Sequence, residues 1–137
     1  MTPENLARIT AARAARDISD LARQAVAAAA ADMPPEERLQ AVRRLRQLAN
    51  ELVDVTVLAE ALAGTPWTDT AHALGRQDPD TVEAEYEESV AEWRALPPEA
   101  LSAAAAGTEG LDHWYARHRE DHDPDVETPV SDLLNSL

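Results

Sequence analysis

Nine prolines divide this 137-residue chain, and six of them stand where a helix can begin. Proline has no backbone N–H and a fixed φ, so it breaks a helix interior yet suits the first helical position. Pro3, Pro35, Pro66, Pro79, Pro98 and Pro129 each fit that position, and Thr2, Thr65, Asp78 and Thr128 precede four of them as N-cap oxygens should. Gly64, Gly75 and Gly107 follow apolar stretches, as C-terminal stops do. This punctuation predicts six helices, at about 3–31, 35–63, 66–74, 79–96, 98–120 (with a break available at Gly107–Gly110) and 129–136. No segment alternates with period two for long enough to make a strand. The expected fold is all-α: an N-terminal antiparallel helical hairpin, then a helix-turn-helix-like unit, then a short C-terminal helical tail. Residues 1–120 would form one domain (hairpin 3–63, helix-turn-helix-like unit 65–96, packing helix 98–120), with 121–137 an acidic linker and a short amphipathic helix.

The second helix carries the clearest pattern. Ala41, Leu45, Leu48, Leu52, Val55, Ala59 and Leu62 alternate steps of four and three, a heptad seam. Leu39, Val42, Ala49 and Val53 widen the stripe. The seam has two available partners: the Ala-rich first helix, reached by the short turn Asp32-Met33-Pro34, or the same seam in a homodimer through helix 35–63.

Composition narrows the chemistry. The absence of cysteine removes disulfides, thiolate metal sites and cysteine nucleophiles. No window of about 18 apolar residues is present, so no membrane span is expected, and Met1–Asn5 has no basic segment feeding an apolar one. A cytoplasmic location is the expectation. Twelve arginines and no lysine face 26 carboxylates, a net charge of −14. Residues 1–50 hold eight Arg against six acids, and residues 51–137 hold four Arg against twenty. The first part is therefore near neutral and the second strongly acidic, which repels phosphate backbones overall.

Within residues 65–96, Trp67, Ala71 and Leu74 share one face of a two-turn helix that stops at Gly75. Val82, Tyr86, Val90 and Trp93 line the next helix, giving a short helix, a Gly-containing turn and a longer helix. This phrase resembles the helix-turn-helix of sigma-factor region four and of actinobacterial regulators with a Trp-x-x-Ile-Gly/Ala-x-x-Leu-Gly pattern. Trp67, Ala71, Leu74, Gly75, Thr81, Val82 and Tyr86 carry the match, over about residues 52–96. Two positions depart from it: Val82 stands seven residues after Gly75 rather than six, and Thr70 replaces a bulky aliphatic. The resemblance implies a transcription regulator whose second helix enters the DNA major groove.

The charge on that helix opposes the DNA role. Asp80, Glu83, Glu85, Glu87, Glu88 and Glu92 occupy it, with no basic residue between Arg76 and Arg94. The reading is therefore a non-enzymatic regulatory protein that presents this acidic helix to a protein partner with a basic surface. The alternative is a DNA-binding regulator using Arg38, Arg43, Arg44, Arg46 and Arg76. A third class, a metal- or ligand-binding helical protein, rests on His118 and His122 at i, i+4. No cofactor motif and no catalytic constellation is present. Val130, Leu133, Leu134 and Leu137 give the tail an apolar stripe for a groove on its own domain, a twofold mate or another protein.

Overall fold

The computed structural model describes residues 1–104 and 106–134. The described residues form six α-helices: α1 Pro3–Ala30, α2 Pro35–Ala63, α3 Trp67–Ala73, α4 Pro79–Arg94, α5 Pro98–Ala104 and α6 Thr108–His118. A single 3-10 turn, Ser131–Leu134, ends the described chain. No strand occurs among the described residues.

The caps explain most of the boundaries. The Thr2 hydroxyl accepts from the Asn5 N–H at 3.1 Å, and Pro3 opens α1. α2 ends at Gly64, whose φ of 91° lets its N–H reach the Ala61 carbonyl while Thr65 N–H reaches Glu60. Asp78 caps α4 by accepting from the Asp80 N–H at 3.1 Å. Two expected caps act otherwise. Pro66, not Thr65, precedes α3, and the Thr65 hydroxyl instead donates to Glu60 at 2.7 Å. The Thr128 hydroxyl donates to Asp132 at 2.8 Å and caps no α-helix.

α1 and α2 form the hairpin, the most extensive contact between elements. The heptad seam is used inside the chain: Leu48 and Ala59 are buried and the other seam residues half-buried. From Leu21 to Gln47 no residue is buried, so the far end of the hairpin is a projecting two-helix arm. At the near end the remaining elements divide between the two helices. α3 and α4 pack on the end of α2, where Leu58, Ala61 and Val90 meet Leu62, Trp67 and Trp93. α5, α6 and the terminal turn pack on the start of α1, where Ile9, Leu111 and Val130 meet Ala12 and Leu133.

The stretch expected as helix over 98–120 takes the break available at Gly107–Gly110 and is two helices, because Gly107 takes a φ of 88° and turns the chain. Arg13 then binds the carbonyls of Ala104, at 2.6 Å, and Ala106, a cation placed at the carbonyl end of α5. The segment 121–127 is no free linker. It is tied back by Tyr115 hydroxyl to the Pro124 carbonyl and by Arg119 to Asp125 at 2.6 Å. Within the described residues the expected helical tail is the 3-10 helix Ser131–Leu134, and it docks in cis. The Asp112 carboxylate accepts from Val130 N–H at 2.8 Å and from the N–H and hydroxyl of Ser131, while Asn5 donates to the Leu133 carbonyl at 2.9 Å. Val130 is buried and Leu133 half-buried, Leu134 is exposed, and Leu137 lies outside the described residues.

Candidate functional site

The turn between α3 and α4 sets the site. Gly75 adopts φ 71°, and the chain then runs through Arg76 to the Asp78 cap. From there Arg76 reaches Glu85, two turns into α4, with guanidinium-to-carboxylate distances of 2.7 and 3.3 Å. This forked pair holds the Glu85 carboxyl below its usual range through the hydrogen bond from Arg76. The Asp78 carboxyl is also lowered, by the Thr81 hydroxyl and the Asp80 N–H. Next to Glu85 in the chain, the Tyr86 hydroxyl donates to Asp54 of α2 at 2.7 Å. Partial burial and the Asp54 carboxylate push the Tyr86 phenol up to about 12. The Tyr86 ring stacks on Trp67, centroids 6.4 Å apart, which fixes its orientation.

These contacts border a cleft of about 560 Å³ between α1, α2 and α4. Glu51 and Asp54 line it from α2, Glu85, Tyr86, Ser89 and Trp93 from α4, and Thr10 and Ala14 from α1. No family model, curated protein or solved structure matches the chain. The cleft's chemistry must therefore be read from its own residues. It offers three carboxylates, a phenol and an indole in one concavity, a lining suited to a cationic side chain.

The six acids of the expected recognition helix are divided between two flanks of α4. At about 100° per residue, Glu85, Glu88 and Glu92 fall on the flank of α4 toward the cleft. Asp80, Glu83 and Glu87 fall on the opposite flank, and of the six only Glu85 lines the cleft. Glu51 and Asp54 were invisible as site residues because only the packing of α2 on α4 brings them to Glu85. Tyr86 and Trp93 read in the sequence as packing residues; both do pack, and both also line the cleft. Leu74, expected on the packed face of α3, is exposed.

The arginines expected for DNA have different surroundings. Arg76 is held by Glu85, and Arg38 donates to the Met33 carbonyl at 2.8 Å. Arg43, Arg44 and Arg46 are exposed on the arm, with no ion pair among the described residues. The two histidines do not share a helix face, because α6 ends at His118. The His118 Nδ1 lies 2.7 Å from the Trp114 carbonyl and its ring stacks on Trp114, whereas His122 lies 3.7 Å from Glu120 and Asp123. Among the described residues no three His, Asp or Glu side chains converge as a metal set. No described helix is long and apolar enough to cross a membrane.

Proposed function

We propose that this protein is a non-enzymatic recognition module that binds a basic segment of a protein partner in the cleft between α1, α2 and α4. The observation that carries the reading is the convergence of Glu51, Asp54 and Glu85 beside Tyr86 and Trp93. An arginine entering there finds the Glu51 carboxylate, beside Asp54 and Glu85 whose other partners are Tyr86 and Arg76, and aromatic rings for cation–π contact. The net charge of −16 over residues 51–137 adds long-range attraction for a basic partner. A role in transcription regulation rests on the helix-turn-helix-like phrase of α3 and α4.

Exposure of Arg43, Arg44 and Arg46 favours duplex DNA as the second reading. Fluorescence anisotropy with a labelled oligo-arginine peptide and with a labelled duplex, each across a salt series, separates the two. The peptide should bind, weaken as salt rises, and lose affinity by about tenfold in the double variant Glu51→Gln, Asp54→Asn. Peptide binding indifferent to those changes would overturn the cleft. Duplex binding that disappears when Arg43 and Arg44 become Ala would favour DNA.

A further inference from the structure

α2 has a second apolar stripe that the hairpin does not use. Leu39, Val42, Ala49 and Val53 are all exposed, with Leu39 keeping 67% of its surface. With Arg46 they repeat at steps of three and four, centred about 120° round the helix from the seam that meets α1. An apolar groove adjoins each end of this stripe. At the arm, Ala25, Ala28 and Ala29 of α1 and Leu39, Ala41 and Val42 of α2 border a groove of about 240 Å³. At the other end, Thr56 and Val57 of α2, Thr70 and Ala73 of α3, and Leu74 just beyond α3 border one of about 300 Å³. Each groove is walled by an exposed leucine, Leu39 at one end and Leu74 at the other.

We propose that two copies of the chain pair antiparallel through this outer face of α2, about a twofold axis level with Gln47 and Leu48. The positions Leu39, Val42, Arg46, Ala49, Val53 and Thr56 are symmetric about that level. Pairing therefore sets Leu39 of one copy opposite Thr56 of the other, Val42 opposite Val53, and Arg46 opposite Ala49. Leu39 then enters the groove beside Thr56 and Val57, and Leu74 closes the groove at the arm, twice by symmetry.

Charge selects both the occupant and the direction. On this outer face Arg38 borders the groove at the arm and Glu60 the groove at the other end, whereas Glu51 and Asp54 face the cleft. An antiparallel copy brings Arg38 of one chain toward Glu60 of the other, whereas a parallel one stacks like on like. Glu36 and Glu37 fall opposite Leu58 and Ala59, which carry no charge. The near-neutral residues 1–50 also supply the part of this acidic chain on which a second copy can approach with least repulsion. The cleft lies on the other side of the seam and stays open in such a dimer.

Sedimentation of the full chain, from low-micromolar to sub-millimolar concentration, reads the state directly. The expected result is a reversible dimer that weakens by at least about tenfold in Leu39→Glu, with unchanged circular dichroism because Leu39 is exposed. A monomer at every concentration, or a dimer indifferent to Leu39→Glu, would overturn the proposal. The native chain has no cysteine, so disulfide trapping tests the register independently. A Val42→Cys chain mixed with a Val53→Cys chain should give a cross-linked heterodimer under mild oxidation. Cross-linking of Val42→Cys chains to one another instead would overturn the antiparallel direction.

Discussion

Arg76 is the residue on which sequence and structure differ most in meaning. In the sequence it stands free in a turn, available to phosphate. In the fold it neutralises Glu85 at 2.7 Å, because the turn carries it back along α4. Nothing in residue spacing reveals that path, since the pair spans a non-helical segment. The consequence is measurable: Arg76→Ala should tighten oligo-arginine binding by about threefold, because the cleft gains one uncompensated carboxylate. A DNA contact at Arg76 would instead appear as weaker duplex binding. Tyr86 makes a second prediction. Its phenol stays protonated up to about 12, above the ordinary value of 10.0, so the unfolded chain gives up this proton first. Its contribution to stability is whole below pH 10 and is lost as pH rises toward 12. Tyrosinate absorbance of a Tyr115→Phe variant reads Tyr86 alone and should show that late titration. Tyr86→Phe removes the hydrogen bond to Asp54 and should cost about 1 kcal/mol in denaturant unfolding.

At the scale of elements, the long helices were legible and the short ones only partly so. Pro3, Pro35 and Pro79 start helices and Gly64 ends one, as their backbone preferences require. The break at Gly107 is legible as a stop, but the Arg13 side chain of α1 that binds the carbonyls of Ala104 and Ala106 beside it is not. The tail is helical as expected, in the 3-10 form over Ser131–Leu134. Its apolar spacing fits a helix, yet its shape is set by Asp112, a buried carboxylate eighteen residues before Val130. Asp112→Ala should therefore cost about 1–3 kcal/mol, leaving the Val130 and Ser131 N–H groups without their acceptor. It should also speed limited proteolysis between Arg119 and Leu134, whereas an unchanged cleavage rate would mean that apolar contact alone holds the tail.

Over the whole molecule, the division of charge matches a division of labour. The seam expected to serve either α1 or a second copy serves α1, which leaves the outer face of α2 for any twofold mate. The acidic part wraps the near end of the hairpin and forms the cleft, while the arm carries Arg43, Arg44 and Arg46. Charge counting located that acidic part, but only tertiary packing shows which carboxylates share one concavity. Salt should therefore act on cleft binding more strongly than on stability, because the folded contacts there are mostly apolar or hydrogen-bonded. Amide and indole chemical shifts recorded during an oligo-arginine titration test the central claim most directly. The account predicts saturable shifts confined to Thr10, Ala14, Glu51, Asp54, Glu85, Tyr86, Ser89 and the Trp93 indole. Shifts centred instead on Asp80, Glu83 and Glu87, on the far flank of α4, would contradict it.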